Sequence, residues 1–558
     1  MRKGSAQREK RLNRQFMSAR SVYLTTPLYY VNARPHLGHA YTTIVVDVVS
    51  RFYRQRGNGV VFLTGTDEHG EKIQQGAAKE NLPPLEFATQ NSHHFREAWE
   101  KIGLKADVFY RTSQPSHYQL VQNALQQLKD RGEIYFAEYE GKYCVGCERF
   151  RTDQEWGPDG LCPDHKTPPE IRKESNYWFK MGAYQDRLIK FYKENPDVIR
   201  PASYLNEVLG FLSQPLEDLC ISRPTSRLSW GIPLPFDDKY VTYVWFDALL
   251  NYPGGVGYEG LPAGKNPKFD EKLWGEVTHF LAKDILKTHA IYWPTMLLAL
   301  GLPLFKHLHV HGYWLMNDHK MSKSLGNVLE PVAFSEQFGA DAFRFYLMRE
   351  MSFGTDSSFT RENFVNRANA ELANGLGNLT SRSLTIATKS LGGRVPSRAV
   401  RGPSEAELLK RVHALPELFA KDFEAARYHI ALAAFSDVVK ACDQYVNEQK
   451  PWALAKAAPT DPEAQKRLEA VLGTLIDSLW TLSVVGSCVL PEGSQKLRVA
   501  LGEAGESVPS WDRATELRPE GSALGEVPRL YPRLELPKEE EVAPAPKPPK
   551  QKPQAPKA

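Results

Sequence analysis

The sequence predicts an α/β protein: a split parallel-sheet domain, interrupted by a metal-binding insertion and followed by an α-helical bundle. Three observations predict it. Near the N-terminus, strand-like and helix-like apolar periods alternate; from about 130 to 240 the pattern turns irregular and rich in Cys, Pro and aromatics; beyond about 370 the apolar residues recur at helical spacing. At 558 residues and 42% apolar content, the chain is too long for one core and apolar enough for several.

Residues 1–20 hold seven Lys or Arg, one Glu and no apolar run, so they read as a flexible basic arm and not as a secretory signal, with Met17 as a second candidate start. Residues 21–130 form the first half of the α/β domain. There "SVYLTTPLYYV" reads as a buried strand, "HAYTTIVVDVVSRFYRQRG" as a helix ended by Gly57, and "GVVFLTGTDEHG" as a second strand. In such a βαβ unit the strands are parallel and their carboxyl ends open on one crevice, which puts Tyr30, His36 and Asp67 on one lip. No GxGxxG follows the first strand, so this is not a standard NAD loop.

Residues 131–240 are the insertion. Strand-helix-strand order returns over 241–330 in "YVTYVWFDALL", "VTHFLAKDILKTHAIYW" and "FKHLHVHGYWLM", and 331–370 form a linker behind a lysine-rich loop. Residues 371–532 form the bundle: Phe435, Val438, Val439, Cys442 and Val446 make one helical stripe, and Leu468, Val471, Leu472, Leu475, Ile476 and Leu479 another. The stretch 533–558, with almost no large apolar residues, reads as a disordered tail. Apolar stretches such as "IYWPTMLLALGLPLF" are broken by Pro294 and Pro303 before they reach spanning length, so no membrane span is expected. A net charge of +4 means that any nucleic-acid partner is held by local basic patches.

Three of the six cysteines cluster as Cys144-x2-Cys147, with fourteen residues before Cys162-x2-His165. Three thiolates and an imidazole on two tight knuckles satisfy a tetrahedral structural Zn2+, one per chain, and leave no open position for catalysis. The pattern fits a reduced, cytoplasmic setting better than a disulfide framework.

Two further motifs carry chemistry. His36-Leu37-Gly38-His39 sets two imidazoles either side of a glycine at a helix start, where free N–H groups favour anions and the glycine admits a nucleotide. Nearly three hundred residues on, Lys320-Met321-Ser322-Lys323-Ser324 makes a cationic loop able to close on a polyphosphate. Phosphoryl-type transfer needs donors and cations where charge develops, and these two motifs supply both. Each alone is a helix start or a solvated turn; their combination points to ATP.

HLGH and KMSKS at this separation resemble class I aminoacyl-tRNA synthetases. With "TTPLYYVNARPHLGH", "FLTGTDEHG", "YVWFDALLNY" and "KMSKSLGNV", residues 20 to 530 resemble the bacterial methionyl-tRNA synthetase family. The resemblance implies a split Rossmann-like catalytic domain and an anticodon-binding bundle. It also implies that methionine and ATP, entering with Mg2+, form methionyl-adenylate, and that the aminoacyl group then passes to the 2′-OH of the terminal adenosine of tRNA(Met). Carried over by matching positions, His36, His39, Lys320 and Lys323 are catalytic; Leu28, Tyr30, Asp67, Trp245 and His289 bind methionine, Asp67 through its ammonium. His36, Gly38, His39, Lys283, Asp284 and Lys323 bind ATP. Ala282 in "HFLAKD" stands where the family usually has glycine, which puts the ATP contacts of that loop in doubt. "GNLTSR" and "VNEQKPW" match anticodon readers at Asn378, Arg382 and Trp452, although Trp452 read alone is a helix-packing residue after Pro451. Many bacterial relatives carry a further tRNA-binding domain that mediates dimerisation; without one, a monomer with no membrane partner is expected.

Competing readings are weaker. Valyl, leucyl and isoleucyl enzymes carry a much larger editing insertion, and a cysteinyl enzyme would place its zinc in the amino-acid pocket. A regulatory paralogue would have damaged motifs, and HLGH, KMSKS and Asp67 are intact. A simple nucleotidyltransferase has no use for the bundle.

Overall fold

The computed structural model describes residues 21–147, 149–151, 153–163, 165–316, 319–320, 328–505 and 508–536. The basic arm, most of the tail and residues 321–327 of the lysine loop lie outside the described residues.

The α/β part is built on a six-stranded sheet in which every neighbouring pair is parallel, in the order Val108–Arg111, Gly59–Asp67, Ser21–Tyr30, Val277–Ala282, His307–His311, Ile199–Arg200. A parallel sheet buries both faces under crossover helices, which is why its strands read as unbroken apolar runs. The helix Leu37–Gln55 makes the first crossover and turns Ile44, Val45, Val48 and Phe52 inward. It starts two residues before the expected "HAYTT" because the His36 side chain caps it. The strand order changes direction of winding beside Ser21–Tyr30, where the carboxyl ends of Ser21–Tyr30, Gly59–Asp67 and Val277–Ala282 leave a crevice.

The stretch between the two halves folds as a four-stranded antiparallel sheet, Arg149–Arg151, Ile134–Cys144, Glu170–Phe179 and Leu219–Cys220. The same stretch lends Ile199–Arg200 to the edge of the parallel sheet. Two tethers hold it over the crevice: Lys72 Nζ donates to the Gly146 carbonyl at 2.6 Å, and Lys287 pairs with Glu155 at 2.6 Å.

Helices Pro403–Glu424, Tyr428–Gln449 and Pro462–Val485 form the body of the C-terminal bundle, and both predicted apolar stripes are buried in it. Pro462–Cys488 is long and apolar enough to cross a membrane, but 94% of its apolar window is buried inside the protein, as in a bundle's central helix.

Candidate functional site

The two histidines sit side by side, their rings stacked 3.8 Å apart. Backbone groups fix the tautomer of each. The Gly38 N–H donates to His36 Nδ1 (3.1 Å) and the His36 N–H donates to His39 Nδ1 (3.3 Å). With both Nδ1 atoms accepting, the proton of each neutral ring stands on Nε2, so each ring can donate from Nε2. Burial, and then the neighbouring His36, hold His39 well below the usual histidine range, so it stays neutral at pH 7. A pair of imidazole N–H donors at a helix N-terminus is suited to a phosphate oxygen.

The segment after the lysine loop packs against this helix start: the Leu37 N–H donates to the Leu329 carbonyl at 3.2 Å. The chain just past the lysine motif, distant in sequence, therefore reaches the start of the histidine helix. Lys320 closes a short strand, His319–Lys320, paired antiparallel with Leu315 and Met316; Lys323 lies outside the described residues.

Asp67 ends the strand Gly59–Asp67 and is buried; the following helix is capped at Gly70 without a side chain, so Asp67 does not serve as its cap. Leu28 and Tyr30 lie on the adjacent strand, and the Tyr30 hydroxyl donates to the His69 carbonyl at 2.8 Å. Across the crevice, Trp245 lies on the short helix Val244–Ala248 with its ring 6.5 Å from that of His289. His289 Nδ1–H donates to the Ile285 carbonyl (3.0 Å), and the Tyr252 hydroxyl donates to His289 Nε2 (2.8 Å). Burial holds His289 down to about 4, so it is neutral. Behind it, Trp293 donates to His279 Nε2 (3.2 Å) and His279 bonds Thr25 Oγ1 (2.7 Å), closing a neutral aromatic wall. Tyr252 and His279 were not singled out from the sequence; a tyrosine seven residues past Trp245 and a histidine inside a buried strand carry no local signal of a site. A buried carboxylate at a strand end, beside neutral aromatic residues, suits a small molecule with an ammonium group and an apolar side chain.

Lys283 and Asp284 lie on a single turn after Ala282. Lys283 pairs with Asp356 at 2.7 Å and stands over the Tyr313 ring at 4.7 Å, while Asp284 is exposed.

In the insertion, the ligand atoms of Cys144, Cys147, Cys162 and His165 all lie within 4.8 Å of one another. His165 Nδ1 is 4.0, 3.4 and 3.7 Å from the three sulfurs in chain order, and Cys147 Sγ is 3.6 Å from Cys162 Sγ. A tetrahedral Zn2+ with bonds of about 2.3 Å to sulfur and 2.0 Å to nitrogen sets its ligands about 3.6 Å apart, so these residues fit it. A Cβ on Gly146 would stand 2.3 Å from the His165 ring, which is why the knuckle needs glycine there. All six cysteines are free thiols.

About the bundle's first helices, Asn378 is exposed at the start of Asn378–Ser390. The Arg382 guanidinium lies 5.0 Å over the Trp452 ring and donates to Asn447 Oδ1 at 3.2 Å.

Comparison with known proteins adds the following. The family model described as tRNA synthetases class I (M) matches residues 22–168 and 159–384. A methionine--tRNA ligase of Deinococcus radiodurans is 42% identical over 95% of this chain and 77% of its own length; one of Streptomyces coelicolor is 40% identical over 93% and 97%. The solved structure of Mycobacterium tuberculosis methionyl-tRNA synthetase in complex with methionyl-adenylate is 36% identical, covers 92% of this chain and 100% of its own, and superposes with a TM-score of 0.88.

Proposed function

The chain belongs to the methionyl-tRNA synthetases of class I, and from that premise we propose which of its residues carry the reaction. It is an ATP-dependent methionine--tRNA ligase, which activates methionine and charges tRNA with it. The Asp67 carboxylate takes the methionine ammonium; Leu28, Tyr30, Trp245 and His289 enclose the side chain. A thioether is soft and polarizable, and aromatic walls suit it. The methionine carboxylate oxygen attacks the α-phosphorus of Mg·ATP and the bond to pyrophosphate breaks. His36 and His39 donate from Nε2 to the phosphoryl oxygens as charge builds on them, Gly38 lets the nucleotide approach, and Lys320 and Lys323 neutralise the departing pyrophosphate. Lys283 and Asp284 complete the nucleotide site. The aminoacyl group then passes to the 2′-OH of the terminal adenosine of tRNA(Met), whose anticodon is read by Asn378, Arg382 and Trp452.

The observation that carries this reading is the stacked His36–His39 pair, with both Nδ1 atoms held by backbone N–H groups so that each ring can donate from Nε2. Cys144, Cys147, Cys162 and His165 would hold zinc, which supplies structure to the insertion and no chemistry to the reaction. A cytoplasmic monomer belongs to the same proposal. Methionine-dependent ATP–pyrophosphate exchange tests it: H39N should abolish exchange while leaving methionine affinity near wild type, and a matched loss of methionine affinity would remove His39 from the phosphate site.

A further inference from the structure

Under the methionine crevice lies a buried polar chain to which the reaction assigns no part. Asp247, fully buried on the helix Val244–Ala248, accepts a hydrogen bond on each carboxylate oxygen: from His69 Nδ1 to Oδ2 and from His117 Nε2 to Oδ1, both at 2.6 Å. The outer nitrogens of the two rings meet tyrosines, His69 Nε2 with the Tyr118 hydroxyl at 2.9 Å and His117 Nδ1 with the Tyr110 hydroxyl at 3.0 Å. If both rings are neutral, every group is satisfied in one direction: each tyrosine donates to its histidine, and each histidine donates to the carboxylate. Burial pushes the Asp247 carboxyl up, but the two histidines outweigh it and hold the group below the ordinary carboxylate range. The chain is therefore a closed arrangement around one buried negative charge.

Its position gives it a purpose. His69 stands two residues past Asp67, and its carbonyl accepts the Tyr30 hydroxyl; its ring packs 5.2 Å from Trp230, whose indole donates to the Glu68 carbonyl at 2.6 Å. Asp247 stands two residues past Trp245 on the opposite wall. We propose that Asp247 is a positioning residue for methionine: through His69 it fixes the spacing between the wall that carries Asp67 and Tyr30 and the wall that carries Trp245. The inference rests on the pocket assigned above. A carboxylate is required because both imidazoles donate to it. An amide presents one acceptor and one N–H donor, so one imidazole must reverse its tautomer; its tyrosine oxygen must then accept from the ring, and the tyrosine O–H loses its acceptor.

The test is steady-state ATP–pyrophosphate exchange with D247N and, as a control on the pocket itself, D67N. D247N should raise the methionine KM about tenfold, a loss of ~1.4 kcal/mol, with the ATP KM unchanged. Folded D247N with a wild-type methionine KM, or with both KM values raised alike, overturns the proposal. If D67N raises the methionine KM and D247N does not, the pocket stands and this inference alone fails; if neither does, both fail. Should D247N not fold, Y118F replaces it, removing only the hydroxyl that orients His69. A threefold or greater rise in methionine KM alone supports the proposal, and an unchanged one overturns it.

Discussion

Arg344 and Asp47 form a 2.6 Å ion pair with neither side chain more than 2% exposed, and it binds the helix that carries the two histidines to the entrance of the bundle. Arg344 lies on the helix Ala340–Glu350 and also donates to the Val489 carbonyl at 3.2 Å, so one guanidinium joins both domains. Burial raises the Asp47 carboxyl, but Arg344 and Arg51 more than offset it and keep the group ionised.

Removing one partner of such a pair leaves the other buried with less compensation. R344M should cost about 3 kcal/mol in urea unfolding, because only Arg51 and the Lys105 N–H remain on the buried Asp47. The double variant D47N/R344M should recover a large part of that loss. A single-variant loss below about 1 kcal/mol would mean the pair is solvated and joins nothing.

Acid should weaken this fold well above the carboxylate range. His289 and His311 are buried and held down to about 4 by that burial, from an ordinary value near 6.5. A base depressed in the folded state contributes stability above its unfolded pKa and loses it as pH falls through the interval down to its folded pKa. The loss therefore begins near pH 6.5 and amounts to about 2 kcal/mol for each residue by pH 5. Urea midpoints measured from pH 7.5 to 5 should fall steeply, and H311Q should flatten the profile. A flat wild-type profile over that range would show that these rings titrate normally.

The parts of the fold that could be read in the sequence are those where local pattern and tertiary burial agree. The run "SVYLTTPLYYV" is apolar on both faces because a parallel sheet buries both, and Leu468 to Leu479 is apolar at helical spacing because its helix is the buried centre of the bundle. The knuckle was legible for a different reason: a tetrahedral ion dictates short, fixed spacings, so Cys144 to His165 carry their geometry in their numbering. Side-chain chains that cross elements leave no such trace. Nothing local marks Asp247 as the partner of His69 and His117, 178 and 130 residues away, nor Tyr252 as the donor to His289. The tautomers of His36 and His39 depend on backbone N–H directions that only the helix cap defines.

If the four ligands hold zinc, C147S should lose the metal and free the insertion, since a structural ion contributes folding free energy outright. The Lys72–Gly146 hydrogen bond ties the knuckle to the helix after Asp67, so the loosening should reach the crevice as well. Metal analysis of the purified wild type should find one zinc per chain, and limited proteolysis should cut C147S within 131–240. A wild type with no zinc would sink the assignment.

Asp443 is a carboxylate placed at a cost. Burial raises it to about 6, with Arg382 offsetting part of the effect. An acid raised in the folded state destabilises the fold when ionised, and that cost is absent below the unfolded pKa and complete above the folded one. D443N should therefore raise the melting temperature at pH 8 and leave it unchanged at pH 4. Equal shifts at both pH values would mean the gain is unrelated to the charge.

Trp452 separates the two halves of the molecule. Its side chain is 45% exposed with the Arg382 guanidinium 5.0 Å above the ring, a ready plane for an unpaired base. If it stacks on the anticodon, W452A removes a contact worth roughly 1–3 kcal/mol. Aminoacylation of tRNA should then fall by about one to two orders of magnitude, since ~1.4 kcal/mol is tenfold. Pyrophosphate exchange without tRNA should hardly change, because the adenylate site proposed above lies in the α/β part of the chain. A packing tryptophan would behave differently: truncation would cost ~3–5 kcal/mol of stability and lower both activities together. Melting curves of W452A recorded beside the two assays distinguish these outcomes. A wild-type melting temperature with selective loss of aminoacylation assigns Trp452 to tRNA, and a lowered melting temperature with parallel loss of both activities removes it from the anticodon surface.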